Sequence, residues 1–269
     1  MPLYKYVTPE LVVVIQNLSI RFSPPSAFND PFESLPDTKF LETKEWIDEA
    51  KTNVVRELSQ ALSHLSERSR EEVFLQRYAE RLQIYEQDAL TALRELAAIN
   101  RILCLSKVAP KDPGALLLWA HYTENHSGMV FEFDDNHAWV RRHDFKPGEA
   151  HDCASVIYSS KRAGCNWDPT RGWQPAEEFL YTKSEHWIYE QEVRLMRFVG
   201  DKDFVASKVD ALVRFPADLL RSVTLGVNNT SEKAVRDALS ANSDLSHVVL
   251  RKAELHPDEF SLMLTVLPR

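Results

Sequence analysis

The sequence predicts an α+β protein: a single domain over residues 1–269 on one mixed β-sheet, with a helical insertion at 40–98. Three observations carry this. Short aromatic and β-branched runs of strand length recur from "LYKYV" to "FSLMLTVL", separated by turn residues. The stretch from Asp37 to Ala109 holds neither glycine nor proline, and part of it repeats apolar residues at helical spacing. No internal repeat, low-complexity tract or linker divides the chain.

"LYKYV" is read as the first strand. Thr8 is placed to N-cap a helix over "PELVVVIQN", with Pro9 at its first position. "LSIRF" is a second strand, stopped by "SPPS", whose prolines hold an extended rim. "FNDPFES" is a turn, because Asn and Asp bond to nearby backbone and Pro31 restricts Asp30. Two helices follow. In the second, Phe74, Tyr78, Leu82, Tyr85, Ala89, Leu93 and Leu96 share one face, and the mixed charges elsewhere form a solvated face. "RILCLS" resumes as a strand, and "DPGALLLWAHYTENHSG" reads as a short helix closed near Gly128. "MVFEFD" and "ASVIYS" are strands. An irregular stretch around Trp167, Pro169, Trp173 and Pro175 comes next. A helix from about Ala176 to His186 then leads into the strand "WIYEQEVRLMRFV". "SVTLGV", the helix "SEKAVRDALSA" and the strands "HVVLRKAEL" and "FSLMLTVL" complete the domain. Trp119 and Phe131 are expected in the core.

Composition excludes several classes. No apolar run reaches the ~20 residues of a membrane span, and the N-terminus has no signal-peptide pattern. Cys104, Cys153 and Cys165 form no CxxC pair, which points to a reducing cytoplasm. A net charge of −8 argues against broad capture of nucleic acid, although a local basic groove is compatible with it. The seven glycines are dispersed, so neither a Walker loop nor a GxGxxG fingerprint exists. A bound nucleotide must therefore be held by another architecture.

Individual motifs are weak. His121 and His126 are five apart and do not share a helical face as an HExxH pair does, and no metal site is expected. Asp37 with Glu42 and Lys44 loosely matches a metal-dependent nuclease pattern, but it opens a helical, solvated segment. There is no GxSxG elbow, and Cys104 sits in an apolar strand where an inert thiol is the default. The glutamate pair in "WIYEQEVRL" stands out. Read as a strand, it puts Glu190 and Glu192 on one face with Ile188 and Arg194, while Tyr189, Gln191 and Val193 take the other. An edge strand with outward acids paired to Arg194 or Lys183 is the plain structural explanation. The flanking Trp187 and Tyr189, and the proline-stiffened rim at "FSPPSAFNDPFE", point instead to two walls of a cleft.

"LYKY", "RFSPPSAFNDPFE", "LLLWAHYTENHSGMVFEFD" and "WIYEQEVRL" together resemble the bacterial domain-of-unknown-function family twenty-nine seventy-one. That family's motifs run LYKY, FSxPxxFNDPFE, WxHYxxxHxGxxxEF and WxYExEWR. The resemblance runs in order from Leu3 to Arg194, and "LLRSVTLGV" fits a later family strand. Val193 replaces the family's second tryptophan, and the 40–98 segment carries no motif. The order of a strand with a basic residue, a helix, a strand ending in serine and a later E-x-E strand also resembles ADP-ribosyltransferases.

That second resemblance implies an ADP-ribosyltransferase-like core and an enzyme that cleaves NAD, as substrate, at the nicotinamide–ribose bond. Lys5 takes the basic position that arginine or histidine holds in those enzymes, and Ser23 or Ser26 the serine position. Glu192 is the implied catalytic carboxylate, with Glu190 orienting or deprotonating an acceptor. Tyr6, Tyr122 and Trp187 are implied to stack on a base, and Asn29, Asp30 and His121 to line the nucleotide site. Positive charge builds on the ribose as the bond breaks, and a fixed carboxylate stabilises it. The implied setting is a cytoplasmic toxin or phage-defence effector with a protein or nucleic-acid acceptor and no membrane. Glu192→Gln is then expected to keep the fold and abolish activity. The alternative is a non-catalytic ligand- or partner-binding sensor module of a defence or stress system, with both glutamates serving as structural ion-pair partners.

Overall fold

The computed structural model describes residues 1–33, 100–141, 153–168, 172–175, 179–199, 204–205 and 211–268, with scattered positions between 48 and 99. The apolar stripe from Phe74 to Leu96, and Asp37, Glu42 and Lys44, lie outside the described residues.

The strands in chain order are β1 (Leu3–Val7), β2 (Ser19–Arg21), β3 (Asn100–Ser106), β4 (Met129–Phe133), β5 (Cys153–Ser155), β6 (Ile157–Ser159) and β7 (Cys165–Asp168). They continue with β8 (Gly172–Pro175), β9 (Thr182–Ser184), β10 (Glu192–Phe198), β11 (Leu212–Arg214), β12 (Leu220–Leu225), β13 (Val249–Leu255) and β14 (Leu262–Val266). Three α-helices are named here: α1 (Val13–Asn17), α2 (Ala115–Tyr122) and α3 (Glu232–Ser240). The main sheet has eight strands in the order β14-β13-β12-β4-β1-β3-β10-β5. All its neighbours are antiparallel except β12 and β13, which are parallel and joined through α3. The fold is therefore mixed α+β, as the sequence predicts. Among the described residues no helix is long and apolar enough to cross a membrane.

Strand alternation divides the interior. Leu3 and Val7 of β1, Leu103 and Leu105 of β3, and Val193 and Leu195 of β10 enter the larger core with α1 and α3. Tyr4 and Tyr6 turn to the other face, where Trp119 and Leu118 of α2 cover them. Trp119 is fully buried, meets Tyr6 edge to face at 5.6 Å and donates its indole N–H to Pro110 O at 2.9 Å.

The turn after α2 is costly and specified. Glu124, Asn125 and His126 all take positive φ, at 49°, 54° and 66°. His126 stacks on Trp119 at 6.0 Å, and Gly128 then passes so close to β1 that a Cβ would lie 2.0 Å from Val7 O. Trp119, His126 and Gly128 of the "WAHYTENHSG" motif are thus packing residues of one tight corner.

Several expected elements differ. Residues 187–195 are not one strand: Glu185–Glu190 is a 3₁₀ helix, Gln191 is left-handed with φ 44°, and β10 starts at Glu192. The reversal at Gln191 is held by Ser106, whose hydroxyl donates to Glu190 O, and by Lys107 N–H, which donates to Gln191 O at 3.1 Å. Ile188 consequently faces solvent and does not join the glutamates. Residues 179–186 do not belong to a long helix. Phe179–Tyr181 is a 3₁₀ turn, and β9 pairs in parallel with β6, a tertiary ladder that overrides local helical pattern. β7 and β8 pair antiparallel, with Trp167 opposite Trp173 in register. "ASVIYS" is split into β5, paired with β10, and β6, paired with β9. Thr8 precedes the Pro9–Val12 3₁₀ turn and α1, but its hydroxyl donates to Glu10 instead of capping a backbone N–H.

Trp119→Ala and Phe131→Ala are each expected to cost about 3–5 kcal/mol, because both side chains are fully buried. Urea unfolding measures this, and an unchanged midpoint for Trp119→Ala would remove α2 from the core.

Candidate functional site

The main sheet parts in its middle. β1 pairs with β4 along its whole length but touches β3 only at Tyr4–Ser106. Farther along the same edge of β3, Ser23 takes over: its backbone exchanges hydrogen bonds with Ile102, at 2.9 and 2.8 Å. Between these two contacts no described strand pairs with this edge of β3, and Lys5 Nζ donates to Cys104 O at 2.9 Å. A cleft of about 370 Å³ opens there, floored by β3 and walled by β1, the Ser23–Glu33 rim, α2 and the Glu190–Glu192 corner.

One wall is ionic. Lys183 of β9 donates to Glu190 at 2.7 Å and Glu192 at 3.1 Å, and lies 3.7 Å from Glu33. Arg194 Nε donates to Glu192 at 2.8 Å, and its Nη2 donates to Glu33. Nη1 donates to Leu180 O at 2.6 Å. All five charged residues are at most 8% exposed. Three carboxylates against two cations leave one formal negative charge in excess, buried beside the cleft.

The excess charge does not fall evenly. Burial pushes the Glu192 carboxyl up, but Arg194 and then Lys183 outweigh it and hold it at about 2. Burial wins at Glu33, which is raised above the usual carboxylate range despite Arg194 and Lys183. Burial opposes the charge on Lys183, yet Glu192, Glu33 and Glu190 keep its ammonium above the ordinary lysine range. Tyr122 is raised by burial and by Glu190, to which its hydroxyl donates.

Of the residues singled out from sequence, the structure gathers Lys5, Tyr6, Ser23, Asn29, His121, Tyr122, Glu190 and Glu192 around this cleft. Ser26 is exposed on the rim and does not line it. Tyr6 is buried, with its hydroxyl donated to Val108 O at 3.0 Å. His121 Nδ1 lies 3.1 Å from the Tyr189 hydroxyl at the mouth. Trp187 lines no part of the cleft and covers the Lys183 ammonium, 4.8 Å from ring centre to Nζ. Asp30 faces a different cavity and accepts Phe32 N–H at 2.9 Å.

Glu33, the last residue of "FNDPFE", was not singled out from sequence, because a lone acid after a turn carries no local signal. The two glutamates differ in how much acceptor capacity is left. Glu192 takes Lys183, two nitrogens of Arg194 and the Cys104 thiol, which fills its roughly four acceptor positions. Glu190 takes Lys183 and Tyr122.

Geometry thus defines a class: an α+β protein whose central sheet parts around a polar cleft backed by a buried ion cluster. Residues 118–195 match a family model described as a protein of unknown function (DUF2971), which supports the family that the four ordered motifs resemble. That match runs from α2 to β10 and takes in His121, Tyr122, Lys183, Glu190 and Glu192. No curated protein and no solved structure matches the chain.

The unequal charges give opposite pH behaviour. Glu192, depressed on folding, contributes stability that is full above its unfolded value near 4.5 and is lost as pH falls toward about 2. Glu33, raised on folding, contributes stability that is full below 4.5 and is lost as pH rises from there through its folded value. Glu33→Gln leaves two acids and two bases and is expected to melt at or above the wild-type temperature at pH 7. Glu192→Gln removes the acceptor of Arg194 Nε and a partner of Lys183, and is expected to cost about 3–5 kcal/mol, because Glu192 is the carboxyl that folding holds ionised. Thermal melts of both variants between pH 5 and 8 test this, and equal losses would contradict it.

Proposed function

We propose that the cleft binds NAD and that the protein is an ADP-ribosyltransferase-like enzyme acting on the nicotinamide–ribose bond. One observation carries the reading. Lys5 from the first strand, Ser23 from the end of the second and the Glu190–Glu192 corner, far apart in sequence, line a single cleft. This is the convergence that the resemblance to ADP-ribosyltransferases requires. The cleft's volume lies at the small end of the usual ligand-pocket range and suits one half of a dinucleotide.

In this reading Glu190, not Glu192, contacts the ribose. A hydroxyl can reach the free acceptor positions of Glu190 without displacing an existing donor, whereas Glu192 has none to spare. Glu190 stabilises the positive charge that develops on the ribose as nicotinamide leaves with the bonding electron pair. Glu192 positions Lys183 and Arg194, and Lys183 in turn fixes Glu190. Tyr122 sets the orientation of the other Glu190 oxygen. Lys5, tied to Cys104 O, offers a point charge to a phosphate or amide rather than the planar fork of an arginine.

The saturation of Glu192 favours a second reading, in which the whole cluster is structural and the cleft only senses a ligand. Nicotinamide release from NAD separates the two. The wild type is expected to release nicotinamide, and Glu190→Gln to lower the rate by about 10²-fold with little change in melting temperature. Glu192→Gln, corrected for folded fraction, is expected to keep more activity than Glu190→Gln. Absence of release with NAD binding intact would give the sensor reading. Release unaffected by Glu190→Gln would remove the carboxylate from the chemistry.

A further inference from the structure

A second cavity of about 570 Å³ adjoins the cleft. The two share a wall, since Glu33 and Lys183 line both. The second cavity differs in its rim. Lys161 and Arg162, on the turn between β6 and β7, are exposed, and neither has an ion-pair partner among the described residues. The turn is shaped by Ser159, whose hydroxyl accepts Lys161 N–H at 3.0 Å. His186 and the hydroxyl of Ser184 also line the cavity, on the segment that carries Lys183. Two carboxylates line it as well, and both are engaged: Asp30 accepts Phe32 N–H, and Glu33 accepts Arg194 beside Lys183. Both carboxylates are buried, whereas the exposed charges of the rim are the two cations.

We propose that this cavity binds a phosphate group. Arg162 offers a planar fork and Lys161 a point charge, the two side chains best suited to phosphate oxygens, with Ser184 and His186 as further donors. Lys161 and Arg162 are adjacent in sequence and both line the same cavity, so their two positive charges act on one place in a chain whose net charge is −8. The phosphate belongs either to the pyrophosphate of the dinucleotide in the adjoining cleft or to a nucleic-acid acceptor. Its placement beside the reacting bond rests on the NAD reading, whereas phosphate binding itself does not.

Calorimetric titration of the full chain tests the proposal with three matched pairs: AMP and adenosine, nicotinamide mononucleotide and nicotinamide riboside, and a short single-stranded oligonucleotide with a phosphodiester or a neutral methylphosphonate backbone. The phosphate-bearing member of at least one pair is expected to bind roughly tenfold more tightly, the scale of one charge-assisted contact. Lys161→Glu with Arg162→Glu is expected to abolish that difference and leave the uncharged partner's affinity unchanged. The glutamine versions serve the same purpose if charge reversal disturbs folding. A preference confined to the mononucleotides identifies the substrate pyrophosphate, and one shown by the oligonucleotide identifies the acceptor. Equal affinity within all three pairs, or a preference that survives both double variants, overturns the proposal. Nicotinamide release is read separately, so loss of one activity is distinguishable from loss of the other.

Discussion

The buried contact between Lys183, Arg194 and three glutamates is the constraint on which the rest of the site depends. It ties four separate segments together: the rim at Glu33, β9 at Lys183, the 3₁₀ corner at Glu190 and β10 at Glu192 and Arg194. Hydrophobic contacts alone would not fix these segments in one register, since apolar surfaces slide more easily than directional charge-assisted bonds. The cluster is costly to bury, and its excess negative charge keeps it from being a simple stabiliser. A more stable arrangement of similar volume would be apolar. An ionic cluster in that place makes sense as the support of a polar cleft.

The same logic explains why the sheet parts. If β1 continued to pair along β3, the cleft would close and Cys104 O would be satisfied by a backbone N–H. Instead Ser23 takes the distant part of β3's edge, and Lys5 Nζ occupies the gap. The parting leaves main-chain groups that a side chain must satisfy, so Lys5 has a structural task beside any role toward a ligand. The prolines of "SPPS" stiffen the stretch that crosses the opening, and Gly128 lets the α2 corner sit directly on β1. Cleft and second cavity then lie on either side of the Glu33–Lys183 contact, which makes that contact the natural point of communication between them.

Strand identities and the α+β class were legible because period-2 patterns in "LYKYV", "RILCLS", "MVFEFD" and "VRLMRF" persist in the structure. The pairing of β7 with β8 and the short strand at Thr182–Ser184 were not, because both depend on pairing with distant or adjoining chain rather than on local preference. The meeting of Glu190 with Glu192 was anticipated for an incorrect geometric reason. Strand alternation does not bring them together; a left-handed Gln191 does, and non-glycine residues give no local signal for that conformation. Lys183 and Arg194 were visible as partners of the glutamates, yet their shared contact with Glu33 could not be read from a chain in which 149 residues intervene between Glu33 and Lys183. The alternation that put Arg194 and Glu192 on one face did hold, and it placed the cluster opposite the large apolar core.

The most direct test of the cluster's organising role is a double-mutant cycle on unfolding free energy, joining Glu192→Gln and Arg194→Met. If these charges hold β10 to the rest of the site, the double variant should be more stable than the two single losses summed, with a coupling of about 2 kcal/mol or more. Additivity within about 0.5 kcal/mol would contradict the account, because it would mean that Glu192 and Arg194 are independent of one another and that the cleft is held open by something else.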